Sequence, residues 1–314
     1  MGLDLAAFAH DSPTRPIENE VMMAYTRCKV RMFAWGCALA SATAGSFADA
    51  QTIGSGMLGS FTPTESRRES EAEEEEIETD RDSFTASTKI TPFGRLITES
   101  SYSFIDNRKV FDTHSLPELL LRYGISERME IRFGYNYEIG GAGNPISGNI
   151  PDDLEEEPVL EEEARLLYGT KVLLSKQNGW MPESVFLVHG YTPTMGKETA
   201  TTLGLSYVFG WKLQNRSIWD NGIRFGTGSF EGDSFNTWSP STVLKIPLGE
   251  RWRVHAEYFG VFTEGRSKEG VQHFFSPGAH YLLTKDLEVG LRVGWGLNEE
   301  APNFFSNIGV GWQF

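Results

Sequence analysis

Residues 129–139 read Met129-Glu130-Ile131-Arg132-Phe133-Gly134-Tyr135-Asn136-Tyr137-Glu138-Ile139. Side chains alternate across an extended chain with period two, so Met129, Ile131, Phe133, Tyr135, Tyr137 and Ile139 share one face. Glu130, Arg132, Gly134, Asn136 and Glu138 share the other. Strands of soluble proteins are usually about 5–6 residues long, whereas a tilted strand crossing a bilayer needs roughly 9–11. Contrast held over this whole stretch predicts a membrane-crossing strand with one wet face.

The pattern repeats outward in both directions. Residues 96–104, 115–123, 164–174, 184–192, 201–211, 217–227, 238–248, 252–262, 271–283 and 287–297 read the same way, and a last alternating stretch ends the chain. Leu203, Leu205, Tyr207, Phe209 and Trp211, for example, oppose Gly204, Ser206 and Gly210. Three stretches are less regular: 184–192 is apolar on both faces, 217–227 turns Asn221 outward, and 271–283 turns His273 outward. The expectation is an all-β fold, a transmembrane antiparallel β-barrel of about twelve strands with both termini periplasmic.

Solvent decides which face is inside. A charge facing lipid at the midplane costs roughly 2–4 kcal/mol, so the charged face must line the interior. The expected lumen-lining side chains are Glu99, Glu118, Arg122, Glu130, Arg132, Glu138, Arg165, Lys171, Arg224, Lys245, Arg253, Glu257, Glu288 and Arg292. Ile97, Leu120, Phe259, Val261, Phe274 and Leu282 join them and narrow the water-filled width.

Connectors are expected to alternate in length. Short ones fall near 126–128, 176–181, 214–215, 249–250 and 284–286; long ones fall near 105–113, 140–162, 193–200, 228–236, 264–270 and 298–302. Bacterial barrels combine short periplasmic turns with longer external loops. By parity Trp211, Trp219, Trp252 and Trp312 point outward near the periplasmic ends, and Trp238 and Trp295 near the opposite rim. Indoles favour the membrane interface, so Trp211, Trp219, Trp252, Trp295 and Trp312 form an expected girdle. The end of the chain, Ile308-Gly309-Val310-Gly311-Trp312-Gln313-Phe314, resembles the signal read by the outer-membrane barrel assembly machinery, with Trp312 and Phe314 as its aromatic positions.

The N-terminal third reads differently. Arg27, Lys29 and Arg31 precede a short apolar core at 33–40, and Ala48-Asp49-Ala50 is a small-x-small cleavage site. That order predicts a secretory signal peptide over 22–50, cleaved near Ala50, preceded by an extension over 1–21 ahead of the alternative starts Met22 and Met23. Cys28 and Cys37 both lie in the signal, so disulfide, zinc-thiolate and cysteine-nucleophile chemistry drop out of the mature chain. Residues 51–92 read as an acidic, low-complexity periplasmic segment that either plugs the barrel or hangs in the periplasm, and 93–314 as the barrel. The net charge of −15 argues against a nucleic-acid partner. Acidic runs at 65–82 and 152–163 read as solvated.

Two stretches carry a family resemblance. Glu78-Thr79-Asp80-Arg81-Asp82-Ser83-Phe84-Thr85 leads into the first strand, and Asp112-Thr113-His114-Ser115-Leu116-Pro117-Glu118-Leu119-Leu120-Leu121-Arg122-Tyr123-Gly124 fills the second. Both resemble the MetA-pathway of phenol degradation family of outer-membrane β-barrel transporters. Pro193-Thr194-Met195-Gly196 is similar to that family's Pro-Thr-Gly turn with Met195 inserted, and Glu161-Glu162-Glu163-Ala164 departs from its Gly-Asp-rich lead-in to the fourth strand. The resemblance spans roughly residues 78–314 and implies passage of small, often aromatic compounds.

Function follows as an expectation: passive passage of small, aromatic or hydrophobic solutes through a narrow charged lumen of an outer-membrane channel. The alternative is a structural scaffold whose lumen is closed by an ion-pair ladder. Residues 140–162 could fold inward as a constriction or remain a solvated surface loop. A lipid hydrolase needs a Ser and a His within hydrogen-bond reach. His189, His255 and His280 point inward, and His273 points outward while Ser276 has the opposite parity. No enzymatic activity, cofactor or metal is expected; the partners expected are outer-membrane lipid, the assembly machinery and a small solute.

Overall fold

The computed structural model describes residues 76–314 except 82, 149–155, 231–232 and 267–268. The expected signal peptide and the first part of the acidic segment lie outside the described residues. Twelve strands follow one another: β1 Leu96–Asp106, β2 Thr113–Ser126, β3 Met129–Ala142, β4 Glu156–Ser175, β5 Glu183–Met195 and β6 Thr202–Lys212. The second half comprises β7 Ile218–Phe230, β8 Asp233–Leu248, β9 Trp252–Glu264, β10 Val271–Thr284, β11 Leu287–Gly296 and β12 Phe304–Gln313. Each strand pairs antiparallel with its sequence neighbours, and β1 pairs with β12 to close the barrel. Closure removes the sheet edges that would otherwise expose unpaired N–H and C=O groups to lipid.

The alternation read from the sequence is the alternation of burial. Along β1 every second residue is buried. In β3, Glu130, Arg132 and Glu138 are 0–3% exposed while Ile131 and Phe133 are 47% and 48% exposed. A soluble fold inverts that relation, because apolar surface leaves water on folding. Here the exposed apolar face, with Ile223, Leu291, Ile308 and Val310, is a face built for lipid.

The irregular strands compensate their outward polar groups locally. Asn221 Oδ1 accepts from Thr242 Oγ1 at 2.8 Å across the β7–β8 ladder. His273 Nδ1 sits 2.8 Å from the Tyr258 hydroxyl across β9–β10. Aromatics gather at both rims: Trp211 against Trp219 at 5.4 Å, Trp252 against Tyr281 at 4.8 Å, Trp312 against Phe314 at 4.5 Å, and Trp295 against Phe304 at 6.2 Å.

Connector lengths contrast less than the sequence implies. The expected long connector 228–236 is mostly strand, with the β7–β8 ladder continuing to Phe230 and Asp233. The β4 strand starts at Glu156, inside the expected loop 140–162, and pairs Glu161, Glu162 and Glu163 with Gly140, Ile139 and Glu138. Backbone pairing thus continues past the point where the apolar alternation ends.

The first and last strands meet at one rim, where Phe314 N donates to Leu96 O at 2.8 Å. Residues 76–92, expected as part of an acidic periplasmic segment, run inside the barrel from this rim. Ile77 N donates to Lys285 O in the β10–β11 turn, Phe84 reaches Phe259 mid-way along β9, and Phe93 bridges to Gly124 at the end of β2. The segment is a re-entrant loop that enters and leaves by the same rim. Its apolar side chains seat in separate interior clusters: Ile77 with Ile97 and Leu282, Phe84 with Phe274 and Phe305, and Ala86 and Ile90 against Leu173, Val185, Leu187 and Val208. Gly124 permits the exit, since a Cβ there would lie 2.2 Å from Pro92 O.

Candidate functional site

The interior charges meet mainly across the re-entrant loop. Asp80 is the hub. Its carboxylate accepts from Arg132 Nη1 at 2.5 Å and Lys171 Nζ at 3.0 Å, with Arg122 Nε at 3.6 Å. Arg122 also donates to Glu99 at 3.0 Å and Glu130 at 3.0 Å, and Arg132 to Glu130 at 2.9 Å. All six side chains are at most 2% exposed. The barrel wall supplies three cations and two carboxylates to this cluster, and Asp80 supplies the third carboxylate. Burial alone would push the Asp80 carboxyl up, but Arg122, Lys171 and Arg132 hold it well below the usual carboxylate range.

Wall carboxylates also bind the loop's backbone. Glu99 accepts from Asp80 N at 3.0 Å, Glu130 from Thr91 N at 2.7 Å, and Glu257 from Phe84 N at 2.9 Å and Thr85 N at 2.7 Å. These are backbone donors that a segment outside any sheet must satisfy if it is buried. Arg122 covers two of the loop's carbonyls, Glu78 O at 2.9 Å and Lys89 O at 3.3 Å.

The remaining expected lining residues fall around these. Glu118 pairs with Arg81 at 3.2 Å, Lys245 with Glu78 at 3.5 Å and Arg253 with Glu76. Glu288 accepts from Thr79 Oγ1 at 2.8 Å and lies 3.6 Å from His280, whose other ring nitrogen is 2.9 Å from His255. Glu138 and Arg165 pair with each other at 3.6 Å, and Arg165 with Glu163 at 2.6 Å. Of the fourteen expected residues, Arg253 alone is half-buried and the others are buried.

A second element closes the opposite half. The β3–β4 connector turns inward at 144–148: Asn144 Nδ2 donates to Glu118 at 2.8 Å, and Ile146 is fully buried. Arg292 Nη2 donates to Ile146 O at 2.5 Å, and Arg224 Nη1 to Gly148 O at 2.8 Å. Gly148 passes so close to the loop tip that a Cβ would lie 2.3 Å from Phe84 O. Phe84 stacks on Phe259 at 4.3 Å, Phe259 on Phe274 at 4.6 Å, and the Arg224 guanidinium lies 4.3 Å from the Phe84 ring. An aromatic zone therefore sits above the ionic one.

The hydrolase candidates do not meet. Ser276 is buried and donates to Val293 O at 2.9 Å, whereas His273 faces outward to Tyr258.

Asp80, Arg81, Thr79 and Thr91 are the functional residues that strand-by-strand reading does not reach. One signal for them is in the sequence. The expected interior set holds eight cations and six carboxylates, so further acids are needed for balance, and the acidic lead-in to the first strand is one source beside Glu163 of β4 and Asp220 of β7.

Fold and interior together define a closed, outer-membrane-type β-barrel whose lumen is occupied by its own N-terminal segment. Within that class, the chain belongs to the family described as Putative MetA-pathway of phenol degradation, whose model matches residues 79–314, from the loop to the last residue. The fold is similar to the crystal structure of an outer membrane channel from Pseudomonas putida F1, with TM-score 0.51 and 12% identity over 76% of this chain and 100% of that one. The translocator domain of the autotransporter NalP from Neisseria meningitidis aligns with TM-score 0.45 and 14% identity over 70% of this chain and 88% of that one. No curated protein matches the chain significantly.

Proposed function

We propose that this protein is an outer-membrane channel for small solutes, aromatic ones among them, held closed here by residues 77–93. The observation that carries the reading is the ionic seat of Asp80 on a loop that enters and leaves by one rim. Such a loop can withdraw without threading its chain through the barrel. Its exit turns at Gly94, whose φ of +76° a glycine adopts readily, and is pinned to β2 by Gly94 N donating to Gly124 O at 2.9 Å, a bond that withdrawal would have to strain or break. A solute would cross the aromatic zone around Phe259 and Phe274, then the mixed charges below it. The similar fold of a protein described as an outer membrane channel supports this reading, as does the family's name for aromatic substrates.

The orientation proposed places the rim of both termini in the periplasm. Residues 22–50 direct export, with cleavage near Ala50, and the final strand with Trp312 and Phe314 engages the assembly machinery. A specific observation favours the scaffold alternative: the lumen is filled by the loop and by residues 144–148. Planar-bilayer recording separates the two. The intact chain should give low conductance, and a variant with 77–91 replaced by a Gly-Ser linker should give large, steady steps. A linker variant that is silent, yet keeps heat-modifiable gel mobility, would sink the channel reading and leave the scaffold.

A further inference from the structure

Inward positions of outer-membrane barrels are mostly polar, yet Phe259 of β9, Phe274 of β10 and Phe305 of β12 point into this lumen and are fully buried. An inward apolar ring is favoured only where another apolar surface takes water away from it. The re-entrant loop brings Phe84 to that place. Its ring stacks on Phe259 at 4.3 Å with the two planes 4° apart, and Phe259 continues the stack onto Phe274 at 4.6 Å. Arg224 of β7 sets its guanidinium 4.3 Å from the centroid of the Phe84 ring. Ile105, Ile146 and Ala301 complete the same cluster. The partners of the ring thus belong to the barrel and its connectors, and stacking and cation–π attraction need no covalent tether. A free aromatic molecule meets the same seat.

The edge of the seat has its own chemistry. Glu257 of β9 accepts from Phe84 N at 2.9 Å, Thr85 N at 2.7 Å and Thr85 Oγ1 at 2.8 Å, with Arg292 Nη1 at 3.3 Å. Phe84 N is two bonds from the carbon that carries the ring, so ring seat and carboxylate adjoin. Withdrawal of the loop takes away three of these four donors. A buried acceptor short of donors favours a ligand that brings one.

We infer that the seat of Phe84 is a binding site for single-ring aromatics bearing a hydroxyl donor, and that Phe84 is a tethered stand-in for such a ligand. The inference rests on the channel reading, in which the loop withdraws, and adds a regulation to it. The solute competes with Phe84 for one seat, holds the loop out and so opens its own path. A ligand that binds only the withdrawn state draws the equilibrium toward it by mass action. Its apparent affinity is lowered by the share of time that Phe84 fills the seat.

Three probes take the ligand apart: phenol carries ring and donor, anisole the ring without a donor, and cyclohexanol the donor without a flat ring. With the full chain in a zwitterionic detergent, the first readout is cleavage of residues 77–91 by added protease. Phenol should raise it saturably, and anisole and cyclohexanol should need about tenfold higher concentrations, the worth of one hydrogen bond or one stack. The second readout is calorimetric titration of phenol into Phe84→Ala, which should bind it about tenfold more tightly than the parent because the tethered competitor is gone. Adding Phe259→Leu to that variant should lose the gain. Heat-modifiable gel mobility checks each variant's barrel, and the cleavage test on the parent decides the matter where a variant does not fold. Equal potency of the three probes, or phenol bound no more tightly by Phe84→Ala than by the parent, overturns the proposal. Failure of the channel reading looks different: the linker variant is silent while Phe84→Ala still binds phenol.

Discussion

Replacing Asp80 by Asn removes one charge and keeps the shape, and the structure gives the consequence. Within the cluster Arg122, Arg132 and Lys171 then stand against two carboxylates, Glu99 and Glu130, an excess of one cation among side chains at most 2% exposed. Removing one partner of a buried ion pair costs about 3–5 kcal/mol when the other stays buried. The barrel need not bear that cost, because withdrawal of the loop admits water to the orphaned cation. Taking about 3 kcal/mol as the loss, the ratio of seated to withdrawn loop falls on the order of a hundredfold. Asp80→Asn should therefore convert a low-conductance barrel to one with frequent large openings and should expose residues 77–91 to added protease. Lys171 has its hydrogen bonds to Asp80, so Lys171→Met in the same chain restores a balance of two against two and should return the closed state. The pH dependence has a defined sign. A carboxyl held below its ordinary range contributes stability above its unfolded pKa, lost only as pH falls through the depressed value. Intact-chain conductance should accordingly be flat between about pH 5 and 8. An Asp80→Asn protein as silent and protease-resistant as the parent, or a double variant no more closed than the single one, would refute the latch.

Three further outcomes are expected. Phe84→Ala removes the ring that stacks on Phe259 at 4.3 Å; a truncation of this kind costs about 3–5 kcal/mol, so flickering conductance should appear in recordings without change in heat-modifiable mobility. Gly124→Ala drives a methyl to within 2.2 Å of Pro92 O, and the displaced exit should raise hydrogen exchange at residues 88–93 while β2 and β3 stay protected. Deleting Phe314 removes the residue whose N–H and C=O both bond Leu96 and whose ring packs on Trp312; slower appearance of folded barrel in a membrane-insertion assay is the readout, and an unchanged rate would count against the assembly role.

The strands were legible because their signal is local. Each carries its own alternation, and the boundary between water and lipid assigns its faces, so Met129–Ala142 or Leu287–Gly296 can be placed without knowing a neighbour. Legibility ends where the solvent contrast ends. At 228–236 and 156–163 the sequence carries no regular apolar alternation and reads as loop although the backbone ladder continues. The inward turn at 144–148 stood as one of two readings, since an Asn, an Ile and a Gly acquire meaning only against Glu118, Arg292 and Arg224 from other strands.

The sequence by itself determined that this chain closes into a barrel of about twelve strands, and which side chains point inward, since both follow from period-two contrast against lipid. Only the tertiary structure decided what those inward charges do. Asp80 lies far along the chain from Arg122, Arg132 and Lys171, and no periodicity relates a segment outside the strands to the wall that receives it. A buried charge must find its counter-charge wherever the fold brings one within reach, and here the fold brings the N-terminal segment into the lumen.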